Sequence, residues 1–174
     1  MGKRSTFSRI SKDAYQTIDK RAVAALLPFL IAGTRFAEPF AGDGHLIREL
    51  EAHGHHCTYR NDIAYPNGKD AALTTSQDLN QADMVISNPP WSRNVLHPMV
   101  ECLSLLEKPI WFLFDADWAY TKQSSTYMRE LCTDIVAVGR LIWIPDTKMS
   151  GKDSCSWYRF SRDKHEPTHF YGRI

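Results

Sequence analysis

The chain has 174 residues, of which 43% are apolar and 24% charged, with a formal net charge of +1. That is the make-up of one globular domain with an ordinary core, and it excludes a global field that would draw the chain to nucleic acid, so any such attraction must come from local patches. No apolar run approaches the roughly 20 residues of a membrane span, and Cys57, Cys102, Cys132 and Cys155 stand far apart with no Cys-x-x-Cys pair, which reads as reduced thiols in a cytoplasmic protein rather than a zinc ribbon or a disulfide framework.

Residues 1–12 carry Lys3, Arg4, Arg9 and Lys12 among serines. Without an apolar stretch this is no secretory signal, and it reads as a flexible basic arm able to contact phosphates. Asp13-Ala14-Tyr15-Gln16-Thr17-Ile18 leads into a helix expected over 19–30, with Val23, Leu26, Leu27 and Leu30 as its apolar stripe and Pro28 stopping it. Tyr15 and Thr17 stand where side chains can face a neighbouring site, although capping by Thr17 or Asp19 and packing by Tyr15 would account for them too.

Residues 34–38 read as a strand ending at Glu38, followed by Pro39-Phe40-Ala41-Gly42-Asp43-Gly44 and a helix from His45 to about Gly54. A Gly-x-Gly turn between strand and helix lets backbone approach a ligand and sets helix N–H groups beside it. Ile47 stands where a dinucleotide fingerprint has its third glycine, and Glu38 suits an ammonium group better than a pyrophosphate. The next strand, 56–63, brings Asp62 to its end, near the roughly 20-residue offset of a ribose-binding acid. His53, His55, His56 and Cys57 match no common zinc spacing.

Residues 64–81 are polar, with a short third strand expected at 73–75 and Asp78 one loop before the next strand, 82–86. That strand runs into Ser87-Asn88-Pro89-Pro90-Trp91. Two prolines remove two backbone donors and free the Pro89 carbonyl to point into a cleft. Asn88 adds a side-chain acceptor and Trp91 a flat stacking ring. Together they form a socket for a planar molecule bearing an exocyclic –NH2. A Pro-Pro turn with Trp91 in the core would not require the asparagine.

A helix is expected over 95–107, an apolar strand over 109–114, a helix over 125–132, and one or two strands over 135–144 broken at Gly139. A loop, 145–155, carries Lys148 and Lys152, and 157–160 with 169–171 alternate like a closing antiparallel hairpin. Strand–helix alternation of this kind argues an α/β, doubly wound, mostly parallel sheet of seven strands with an antiparallel C-terminal hairpin, whose ligands bind at the C-terminal strand ends. Glu38, Asp62, Asp78 and Asn88 all fall there.

With those positions in hand, the chain resembles a class I methyltransferase with a Rossmann-like sheet. More narrowly, it is similar to the small adenine-N6 DNA methyltransferases of phages and prophages, over nearly its whole length from Asp13. The resemblance implies S-adenosylmethionine as cofactor, S-adenosylhomocysteine as product and no metal. It implies that Tyr15 and Thr17 hold the methionine end. The loop from Glu38 through Phe40, Gly42 and Gly44 would wrap methionine and ribose. Asp62 would take the ribose hydroxyls, Ile63 the adenine ring, and Asp78 the cofactor's adenine amine. Asn88, Pro89, Pro90 and Trp91 would form the catalytic motif. Ile18 departs from the proline usual after the threonine.

The expected reaction is direct methyl transfer to N6 of adenine in DNA, either a duplex with its base flipped out or a single strand. A single domain over 1–174 leaves no room for a separate target-recognition domain, so specificity is expected to be low or short. A monomer or weak dimer in the cytoplasm of a bacterial host is expected, with no membrane partner. The same acceptor pair would serve N5 of a glutamine side chain or a base of ribosomal RNA. A non-catalytic binding module would have been free to lose Asn88 or the glycine turn, and both are present.

Overall fold

In the computed structural model, which describes residues 15–173, seven strands form one sheet in the order β2-β1-β3-β4-β6-β5-β7. The strands are β1 (Arg35–Glu38), β2 (His56–Arg60), β3 (Met84–Ser87), β4 (Ile110–Asp115), β5 (Cys132–Gly139), β6 (Cys155–Phe160) and β7 (His169–Tyr171). The helices are α1 (Lys20–Leu26), α2 (His45–Ala52), α3 (Arg93–Ser104) and α4 (Ser125–Glu130). The basic arm of residues 1–12 and Asp13 lie outside the described residues.

β4 is the centre of the sheet, and its run Ile-Trp-Phe-Leu-Phe is buried throughout. Such a strand is covered on both faces and needs apolar side chains at every position. Its residues divide the core. Phe112 and Phe114 join Leu96, Val100 and Leu103 of α3 on one face. Trp111 and Leu113 join Val23 and Leu26 of α1 and Leu46, Ile47 and Leu50 of α2 on the other. The alternation is the period of two along a strand meeting helical stripes from either side. α1 begins where Asp19 accepts the Arg21 N–H as N-cap, and Pro28 tightens its end into a 3-10 turn over Leu27–Phe29.

Two expectations are corrected. Residues 73–75 form no strand: a 3-10 turn, Ala71–Leu73, stands there, started by the Asp70 carboxylate accepting the Ala72 N–H. The hairpin also has different partners. β6 inserts antiparallel between β4 and β5, and β7 adds to the outer edge of β5 in parallel. Every strand except β6 therefore runs the same way, and their C-terminal ends share one edge of the sheet. β5 ends at Gly139, whose φ of +92° turns the chain out of the sheet, so residues 140–144 do not continue it.

Candidate functional site

The C-terminal ends of β1 and β3 and the turn after β2 open on a cavity of about 520 Å³. At its floor lies Glu38, the last residue of β1, only 1% exposed. Its Oε1 accepts the Phe40 backbone N–H at 3.0 Å and the Ser87 hydroxyl from the end of β3. Burial pushes the Glu38 carboxyl up to about 8, helped by the nearby Asp62 charge and opposed by the bonds from Ser87 and Phe40.

Above it runs the glycine turn. Gly42 and Gly44 have φ of +47° and +77°, the left-handed region that side chains with a Cβ resist. Asp62 fixes this turn from just beyond β2: its Oδ2 accepts the Gly42 N–H at 2.8 Å, while its Oδ1 accepts that of Ala64 at 2.9 Å. Tyr65 closes the other side, donating its hydroxyl to the Gly42 carbonyl at 2.7 Å. Gln16 lies directly over the turn: its Oε1 accepts the Asp43 N–H at 3.2 Å, and a Cβ on Gly42 would come within 2.2 Å of its amide. Neither Gln16 nor Tyr65 belongs to a motif, and only the placement reveals them. Tyr15, Thr17, Phe40 and Ile63 line the same cavity.

Asn88, just beyond β3, forms the facing wall with Pro90 and Val95. Its Nδ2 donates to the Tyr15 carbonyl at 3.2 Å, joining the segment before α1 to the Asn-Pro-Pro motif. Its Oδ1 accepts the Trp91 indole N–H at 3.0 Å. Trp91 and Pro89 do not line the cavity. Pro89 is buried, and Trp91 is half-buried against both halves of the core. The Trp91 ring meets Trp143 edge to face, with centroids 5.5 Å apart.

Asp78 is not on the cavity wall. Its Oδ2 accepts from Lys69 Nζ at 2.6 Å and from the Thr75 N–H and hydroxyl at 2.8 and 2.7 Å. Asp70 and Ala71 line the cavity instead. Among the described residues no three His, Cys, Asp or Glu side chains converge as metal ligands, and no helix is long and apolar enough to cross a membrane.

The chain matches no protein-family model and no curated protein. Solved structures resemble it in fold. A candidate class I S-adenosylmethionine-dependent methyltransferase from Listeria monocytogenes is 12% identical with a TM-score of 0.61, over 92% of this chain and 66% of that one. The type IIG restriction endonuclease BpuSI is 13% identical with a TM-score of 0.59, over 87% of this chain. A candidate RNA methyltransferase from Pyrococcus horikoshii is 17% identical with a TM-score of 0.50, over 82% of this chain and 80% of that one. The chain spans 26% of the length of the endonuclease. At these identities the likeness is one of fold, and the fold is that of the class I methyltransferases.

Proposed function

We propose that the protein transfers a methyl group from S-adenosylmethionine to the exocyclic N6 of adenine in DNA. One observation carries this reading: Asn88 and Pro90 share a cavity wall with a buried carboxylate, Glu38, and a left-handed glycine turn held by Asp62. The cavity is of cofactor size, and the two positive-φ glycines let backbone approach a ligand closely. When bound, S-adenosylmethionine supplies an electrophilic methyl group on a sulfonium.

The chain's residues do the rest. Glu38 suits the cofactor's ammonium, whose arrival would offset the cost of burying the carboxylate. Asp62 would take the ribose hydroxyls, with Phe40 and Ile63 as apolar walls and Tyr15 and Thr17 at the methionine end. Asp78 would have to leave Lys69 to reach an adenine amine, so Asp70 on the wall is the better-placed acid.

An adenine amine is a poor nucleophile because its lone pair is shared with the ring. The Asn88 Oδ1 and the Pro89 carbonyl would accept its two hydrogens, orient the nitrogen and stabilise the positive charge it gains. Trp91 would stack on the flipped base once its ring turns toward the cavity. Residues 1–174 would act as one unit, monomeric or weakly dimeric, reading little sequence.

Incubation with methyl-labelled cofactor and, separately, duplex DNA, RNA and protein extract tests the substrate. Label is expected in DNA, at N6 of adenine. Label confined to RNA, or to a glutamine amide, which the same acceptor pair would hold, overturns the DNA reading.

A further inference from the structure

A second, smaller cleft of about 140 Å³ lies at the same edge of the sheet, beyond β5. Its floor is made of small side chains, Ala24, Ala25 and Ala137 with Val138, and Arg21 and Arg173 stand on its walls. Arg173 follows β7, and its guanidinium lies against Gly139: a Cβ there would sit 3.2 Å from one of its nitrogens. The next residue, Arg140, is exposed. Among the described residues neither Arg140 nor Arg173 has a carboxylate within ion-pair distance. Arg21 donates its Nε and one terminal nitrogen to Asp19, at 3.0 and 2.5 Å, which leaves its other terminal nitrogen.

The cleft is joined to the larger site. Asp19, which holds Arg21, also accepts the Ile142 N–H at 2.9 Å. One residue further, Trp143 meets Trp91 of the Asn-Pro-Pro-Trp motif. The segment 140–143 thus runs from the arginines to the Asn-Pro-Pro-Trp motif. Lys148 and Lys152, both exposed, extend the loop that follows.

We propose that the cleft between Arg21 and Arg173, with the exposed Arg140 next to it in the chain after Gly139, binds phosphodiester groups and tracks the backbone of a nucleic acid whose base enters at Asn88. Guanidinium groups suit this task because their planar donors match phosphate oxygens in pairs. The chain's net charge is only +1, so a local cluster beside the site is what would give the polymer a path. The contacts are to phosphate and carry no sequence information. The proposal rests on a nucleic-acid substrate for the larger site, and it is tested by binding rather than by turnover.

The test measures the affinity of labelled duplex DNA, single-stranded DNA and RNA for the wild type and for an Arg140→Ala/Arg173→Ala variant across a salt series. Arg129→Ala, in α4 and away from this edge, serves as the control. The double variant is expected to lose affinity in equal proportion for unrelated sequences. The slope of log affinity against log salt should shrink by about two on duplex DNA, given about 0.9 per phosphate contact. Cofactor affinity and melting temperature should not move, and Arg129→Ala should behave as wild type. An unchanged slope in the double variant, a loss at one sequence only, or no polynucleotide binding by the wild type overturns the cleft. So does tight inorganic phosphate binding that the double variant loses while its duplex affinity stays, which would mark a free-anion site. If label enters RNA and not DNA while the wild type binds RNA through these arginines, the cleft stands and the DNA-methylation reading falls. If DNA is methylated and the double variant binds as wild type, the reverse holds.

Discussion

The Trp91 indole nitrogen donates to Asn88 Oδ1 across 3.0 Å, so the ring proposed to wall off the base and the acceptor proposed to hold its amine are one bonded unit. An amide oxygen has two lone pairs. A substrate hydrogen can therefore join this acceptor without displacing the indole, or take its place as the ring swings.

Asn88→Ala should reduce single-turnover methyl transfer by on the order of 10²–10³, about 3–4 kcal/mol, because the lost acceptor interaction strengthens as the amine gains charge. Cofactor affinity, measured by calorimetry, should change little. Trp91→Phe keeps a ring and removes the N–H, and should retain most of the rate. Trp91→Ala should weaken the substrate by roughly 1–3 kcal/mol of stacking. Near-normal turnover by Asn88→Ala would remove the socket from the mechanism.

Glu38 makes the protein sensitive to alkali. Its carboxyl lies at about 8 in the folded protein against an ordinary 4.5. Between those values the native state holds a proton that the unfolded chain has released. The stability Glu38 contributes is therefore full below about pH 4.5 and lost as pH rises toward 8. Glu38→Gln can still accept from Ser87 and Phe40, and its melting temperature should fall less than the wild type's between pH 5 and 9. An identical pH profile in the variant would contradict this. Binding of a cationic cofactor near pH 7 should also release a proton, seen as a buffer-dependent heat that Glu38→Gln loses.

Asp62→Ala removes the bond that fixes the Gly42 N–H as well as the proposed ribose contact. Loss of a charged hydrogen bond costs about 1.5–3 kcal/mol, so cofactor affinity should fall roughly 10- to 150-fold. Unchanged affinity in a calorimetric titration would take Asp62 out of the binding site.

Gly42→Ala meets two obstacles, a φ of +47° and the Gln16 side chain. Adding Gln16→Ala relieves the collision and leaves the backbone strain. Cofactor binding should be poor in Gly42→Ala and only partly restored in the double variant. Full restoration would mean that packing against Gln16, not the left-handed turn, is what requires glycine.

The parts of the site that were legible in the sequence are those where a residue type dictates backbone shape. Gly42, Gly44, Pro89 and Pro90 announce their conformations, and the acids singled out at strand ends, Glu38 and Asp62, both line the large cavity. Asp78 was not legible, because spacing cannot show that Lys69 and Thr75 surround its carboxylate. The third strand failed where the Asp70 cap overrode the β-propensity of Leu73-Thr74-Thr75. The hairpin failed because the loop before β7 is tied elsewhere. Lys164 and Thr168 bond to the carbonyls of Met128 and Cys132, which carries the chain past β5 instead of back along β6. Such long-range tethers leave no periodic trace.

The insertion of β6 between β4 and β5 has a consequence during synthesis. β4 leaves the ribosome with the run Ile-Trp-Phe-Leu-Phe and one open edge, and the strand that covers that edge, Cys155–Phe160, is made only after α4, β5 and the loop beyond it. Until then the most apolar strand of the sheet is a template for pairing with other chains. A nascent chain paused before Cys155 is therefore the form of this protein most in need of a chaperone.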